Sequence, residues 1–531
     1  MLRANLFSLA VVVALSAGQV AKPAASIAGR VLDAASNEPL VAATILITAL
    51  DAASGTPSLS PVYSGERGEF SFTNLPPGRY SLSARKPRYL YLGYGQRPGS
   101  GLPGVSVTVT VGQQIKDLVI RLPLASVIAG TVTDSRGEPA QGASVQVWRL
   151  EWRNGERAAQ QKASDVVDDR GQYRIPNLFP GDYLVLAQMA APAPPRPAPT
   201  YYPGTPVSTQ ASAVPLGVSE ERTGINIQMS AVVMSTVEGA IGRADGQPVQ
   251  NVKISAVDTE SERRGVNFQS TSSTANARFR FENLPPGRYE LLASEPNETT
   301  TQRWATATVV ADGNPIKDIA LVLREGETVS GIVAVGGPTP PKSSPRVTLS
   351  PLDRDPSTSA SFSVRSEVDG RFSVKGVLPG RYVMGVSDVP TGYLASSIQV
   401  AGRDVTDLPI EVGPLQQLAG FEVKIIPVGA SVSGTLFDSS GRPNSDLLVI
   451  VFPADEKYWL PASRRIQTAR PDSNGQYSVR SLPPGSYAVG VVTDAEPGEW
   501  FAPSFLKKLV PTSISLSLAG AESKTLDVRV K

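Results

Sequence analysis

Gly68-Glu69-Phe70-Ser71-Phe72-Thr73-Asn74-Leu75-Pro76-Pro77-Gly78-Arg79-Tyr80 is the stretch from which the architecture of this 531-residue chain can be read. The phrase returns at 171–183, 277–289, 370–382 and 475–487. An internal repeat at this spacing makes the chain an array of similar units instead of one large domain.

The phrase opens on a tight turn. Arg67-Gly68, Arg170-Gly171, Asp369-Gly370 and Asn474-Gly475 put glycine where positive φ is needed, and the third copy departs with Asn276-Ala277. A period-two strand follows, in which Phe70 and Phe72, Tyr173 and Ile175, or Tyr477 and Val479 share one face. Pro77-Gly78 and its copies then predict a type II turn, with proline presetting φ and glycine taking positive φ behind it. The tyrosine opens the returning strand, as in Tyr80-Ser81-Leu82-Ser83-Ala84, so the phrase predicts two adjacent strands. A tyrosine at such a corner is placed to hydrogen-bond the backbone upstream.

Other strands frame each copy. Upstream stand Ser26 to Asp33, Ile128 to Asp134 and Val432 to Asp438; downstream of the first copy come Val107-Thr108-Val109 and a closing Leu118 to Leu122. About seven short strands in roughly 100 residues is the count of a Greek-key sandwich. The fold class expected is therefore all-β, a tandem array of five Greek-key β-sandwich domains, at 24–123, 124–231, 232–324, 325–428 and 429–531. Short linkers predict an elongated row of units.

Composition removes several functions. Fifty basic residues against 48 acidic give a net charge of +2, which provides no field toward nucleic acid. There is no histidine and no cysteine, so Ser-His-Asp and Cys-His sites, His-based zinc centres and disulfides are excluded. No catalytic residue, metal site or cofactor is expected. Asp168, Asp369 and Asp472 precede the repeated turns and read as turn formers, since an aspartate there bonds its own backbone.

Arg3, the apolar run Leu6 to Leu15 and the small residues Ser16-Ala17-Gly18 have the three parts of a secretory signal, assigned to 1–18. No other apolar run approaches that length, so no transmembrane segment is expected after it. The chain is thus expected outside the inner membrane, in the periplasm, on the outer surface or beyond it. Proline-rich Ala191 to Pro206 reads as a stiff spacer.

Binding is sought in loop aromatics. After each anchor tyrosine another aromatic follows: Tyr91 and Tyr94, Tyr201 and Tyr202, Trp304, Tyr393, and Trp500-Phe501. Exposed rings at a sandwich tip could stack on sugars or fill a partner's pocket, but recurrence in every copy favours rings that cap their own core. Trp148 and Trp152 do not recur, and with Arg149 and Arg153 they form the more specific candidate. The candidate ligand-binding set is Trp148, Trp152, Tyr91, Tyr94, Tyr201, Tyr202 and Trp500.

Taken with the opening strands, the phrase resembles the carboxypeptidase regulatory-like domain, a transthyretin-like β-sandwich related in form to collagen-adhesin B repeats and starch-binding-like modules. The resemblance is closest in copies one, two and five. It implies a non-enzymatic, exported multi-module protein acting as spacer or interaction scaffold, with an unidentified envelope protein or polysaccharide as partner. The alternative is a carbohydrate-binding protein that uses the aromatic loops.

Overall fold

The computed structural model describes residues 25–51, 59–189, 198–229, 232–246, 249, 251–259, 268–295, 303–337, 344–352, 361–414 and 416–530. The secretory signal assigned to 1–18 lies outside them, as do 190–197 of the proline-rich spacer.

In the first unit β1 (Ala25–Asp33), β2 (Thr44–Ala49), β3 (Val62–Tyr63), β4 (Glu69–Leu75), β5 (Gly78–Arg85), β6 (Leu92–Gly93), β7 (Val107–Val109) and β8 (Gln114–Leu122) form two sheets. One sheet has the order β4-β1-β8, and the other β3-β2-β5-β6 with β7 also on β5. Strand β1 runs antiparallel to β4 and parallel to β8. Phe70, Phe72, Ile27 and Ile120 of the first sheet face Ile45, Ile47, Tyr80 and Leu82 of the second across one buried cluster. Burying each such side chain stabilises the unit by about 1.5–3 kcal/mol.

The same opening-strand pairing recurs around every copy of the phrase. Ser126–Thr133, Ser235–Arg243, Glu327–Val335 and Ala430–Phe437 each pair antiparallel with the strand of their own phrase and parallel with a later strand. Four further apolar clusters lie between these strands and their partners. The chain is all-β, built of multiple β-sandwich modules.

Two local expectations are corrected. The strands of the phrase do not pair with each other: β4 belongs to the β1 sheet and β5 to the β2 sheet, so the phrase crosses the core from one layer to the other. The turn is not type II either, because Gly78, Gly181, Gly287, Gly380 and Gly485 have φ of 147 to 158 instead of about +80. The left-handed residue lies four positions earlier, at Asn74, Asn177, Asn283, Gly376 and Ser481 (φ 58 to 75). There the register slips, with Ala25 opposite Leu75 but Ile27 opposite Phe72, which is a β-bulge that bends the strand into its crossing.

The pairing of opening and closing strands shifts register just before Gly29, Gly239 and Gly331. At Gly29 an added Cβ would stand 2.1 Å from the Leu118 carbonyl oxygen, and at Gly434 it would stand 1.9 Å from that of Leu526. Only hydrogen fits between the opening and closing strands. The corner tyrosine behaves as its sequence predicts: Tyr80, Tyr183, Tyr382 and Tyr487 donate to the carbonyls of Pro76, Phe179, Leu378 and Pro483 at 2.6 to 2.7 Å.

The expected elongated row is not observed. The fifth unit folds back onto the first, where Arg470 donates to the carbonyls of Pro103 and Gly95 at 2.6 Å and Thr108 donates to Asp472 Oδ2 at 2.6 Å. Leu102 of the first unit enters an apolar cluster with Leu448, Ile450, Phe452, Trp459 and Leu506 of the fifth. Short linkers restrict neighbours, but they do not prevent a turn at each junction.

Candidate functional site

The non-recurring tryptophans lie on an enlarged hairpin of the second unit. After β9 (Ser126–Thr133), strands β10 (Ser144–Arg153) and β11 (Glu156–Val166) pair along their whole length and carry the hairpin tip to the fifth unit. At that tip Gly155 N–H donates to the Gly498 carbonyl at 2.9 Å, and Arg157 pairs with Glu496 at 3.5 Å. Burial raises the Glu496 carboxyl above its ordinary value, opposed by the Arg157 and Arg149 guanidinium charges.

Each candidate aromatic has a definite place. Trp148 is half-buried against Leu150, Leu184, Leu186, Tyr201 and Ala211, a cluster on the sheet face turned away from the unit's own core. Trp152 is half-buried at the junction with the fifth unit, with the Arg157 guanidinium 5.5 Å from its ring centre. Trp500 packs against the apolar cluster that receives Leu102. Tyr94 and Tyr202 pack against the cores of the first and second units. Tyr201 is 0% exposed, so the exposed-ring reading does not hold for it. Tyr91 differs: its ring is 52% exposed, with the hydroxyl 2.8 Å from Ser83 Oγ.

Tyr91 lines a cavity of about 470 Å³ between the first and second units. Arg149, Lys162, Asn177 and Phe179 of the second unit line it too. Arg149 donates from Nη2 to the Gly99 carbonyl at 2.9 Å, while its Nε–H is buried without a hydrogen-bond partner. Lys162 is held at 2.8 Å by Glu151, which also lies 3.4 Å from Arg149. Burial pushes the nearby Tyr183 hydroxyl up to about 12, and its proton is given to the Phe179 carbonyl, which leaves Arg149 and Lys162 as the charged donors of the cleft. The donors here suit an acceptor-rich ligand.

A larger cavity, about 610 Å³, lies between the fourth and fifth units, walled by Met384, Leu394, Asp407, Leu460 and Arg464. Its one carboxylate is engaged: Asp407 accepts from Arg464 at 2.5 and 3.2 Å and from Arg465 at 2.6 Å. Asp168, Asp369 and Asp472 each accept backbone N–H groups two residues on, as turn formers do. Among the described residues no group of three acidic side chains is placed to hold a metal ion. Nor is any helix there long and apolar enough to cross a membrane, which says nothing of strands.

Sequence reasoning missed the junction residues Arg470, Leu102 and Asp407. A signal was present for the surfaces they join: Leu448 to Pro453 is wholly buried, and Tyr183 to Ala187 likewise, without the alternation of a half-wet strand. A continuous apolar run marks a sheet covered on both faces.

No curated protein matches the chain. Among solved structures, the minor pilin of Streptococcus agalactiae aligns at 14% identity over 39% of this chain and 96% of its own, with a TM-score of 0.24. Two B repeat units of the collagen-binding protein of Staphylococcus aureus align at 12% identity over 70% of this chain and 94% of theirs, with a TM-score of 0.15. The Bacillus anthracis TIE protein aligns at 10% identity over 92% and 69%, with a TM-score of 0.14. The family model of the carboxypeptidase regulatory-like domain matches residues 26–122, 127–228 and 236–324. These stretches make up more than half of the chain, which therefore belongs to the carboxypeptidase regulatory-like domain family.

Proposed function

We propose that the chain is an exported, non-catalytic interaction scaffold of the cell envelope, composed of five sandwich modules with boundaries near residues 124, 232, 325 and 429. One observation carries this reading. The residues that recur are consumed in making the fold, while Trp148 packs within its own unit and Trp152 lies where the second unit meets the fifth. What remains for function is the outer surface and the clefts between units. The composition supports the absence of catalysis, since neither histidine nor cysteine is available as base, nucleophile or ligand.

In-cell cross-linking with a tagged full chain tests the reading. An envelope protein or polysaccharide linked to the chain in the exported fraction is the expected result. A chain retained in the cytoplasm, or a purified chain that turns over substrate, contradicts it.

A further inference from the structure

We infer that the cleft between the first and second units is a binding site for an acidic sugar, a uronate residue or short uronate oligomer. Its volume of about 470 Å³ falls within the range of small-ligand sites. Two cations, Arg149 and Lys162, line it, and no acidic side chain does among the described residues. Glu151 neutralises one of the two from outside the wall, which leaves net positive charge toward the cleft.

The Arg149 Nε–H is the decisive atom. It is buried with no acceptor, while Nη2 of the same guanidinium is anchored on Gly99. Leaving a buried donor unmade is unfavourable, and this one sits beside Gly181 on a guanidinium that lines the cavity, so a small shift of the side chain would let it meet an incoming acceptor. A carboxylate satisfies Arg149 and Lys162 together, by charge-assisted hydrogen bonds.

Tyr91 favours a sugar over an acidic peptide. Tyr91 is the half-exposed aromatic among the lining residues, and its hydroxyl is tethered 2.8 Å from Ser83 Oγ. An exposed ring tethered at its hydroxyl offers a flat apolar face to the C–H face of a pyranose. The inference stands apart from the scaffold reading, since a chain that binds no uronate can still be a scaffold.

Isothermal titration of the full chain tests it, with trigalacturonate as probe, neutral galactotriose as control and triglutamate as competing polyanion. Trigalacturonate should bind at one site, more weakly as salt is raised. Lys162→Met and Tyr91→Ala should each weaken binding at least tenfold, with an unchanged melting curve for Tyr91→Ala, whose side chain is exposed, separating lost binding from lost folding. Arg149→Lys keeps the charge but loses the Nε donor, and should also weaken binding. Absence of trigalacturonate binding overturns the inference, as does equal binding of galactotriose, equal binding of triglutamate, or full binding by the Lys162 and Tyr91 variants.

Discussion

Arg470 Nη2 donates to the carbonyl oxygen of Gly95 at 2.6 Å, across 375 residues of chain. The same guanidinium reaches Pro103 and, at 3.3 Å, Ser445, so its charge is capped by carbonyl dipoles in a region dry enough to lower its pKa. Desolvation is the first cause of that shift. Charge-assisted bonds of this kind contribute about 1.5–3 kcal/mol. Arg470→Leu should therefore loosen the contact of the first and fifth units, seen as faster hydrogen exchange in residues 93–106 with the strand cores unchanged. Unaltered exchange would show that Leu102 alone holds the junction.

The opening-strand glycine should tolerate no Cβ. Gly434→Ala would place a methyl group 1.9 Å from the Leu526 carbonyl oxygen. Forcing the strands apart should cost about 1–3 kcal/mol or more, read as lost exchange protection in 430–437 and 476–482. Full protection would mean that the closing strand yields freely.

The third copy of the turn carries a different burden. Ala277 has φ 56 where its counterparts are Gly68, Gly171, Gly370 and Gly475 at φ 73 to 86. Ala277→Gly removes the left-handed strain and should stabilise that unit by about 0.5–1 kcal/mol in denaturant unfolding. A loss of stability would contradict this account of the turn.

Acid should act unevenly along the chain. Asp33 lies below its ordinary 3.8 chiefly through the Ser36 N–H, Asp134 through that of Arg136 and Asp438 through that of Arg442. A carboxyl depressed in the folded state contributes stability above its unfolded pKa, and this is lost as pH falls through the folded value. The first, second and fifth units should thus lose exchange protection below about pH 4 before the fourth, where Val335 occupies the position. Asp33→Asn should remove part of that dependence in the first unit. A uniform acid response would contradict the assignment.

How much was legible follows from what a local pattern can encode. Alternation at Phe70 and Phe72, the Asn and Gly turns and the corner tyrosine write strands, turns and a sandwich, and those are found. Which strands share a sheet is not in the phrase, because Phe70 and Leu82 point into the same core whether β4 and β5 pair or cross. The Asn74 bulge, not the Pro-Gly pair, performs the bend. The candidate cleft was legible only in part: Tyr91 stood among the loop aromatics, and it is 52% exposed where a core-capping ring would be buried. Arg149 and Lys162 join it through a packing of units that no single-unit periodicity describes. Tyr201 looked identical to Tyr91 in sequence and is buried, because a second apolar face on Leu184 and Leu186 receives it.

The central claim is that the fifth unit closes back onto the first, and the cysteine-free sequence allows a clean test. Ser473 N–H donates to the Ser106 carbonyl at 3.0 Å. Ser106→Cys with Ser473→Cys, oxidised at high dilution, should form an intramolecular disulfide in nearly every molecule, seen as a faster monomer band on a non-reducing gel. A chain that stays fully reduced, or links only into dimers, would contradict the closed arrangement.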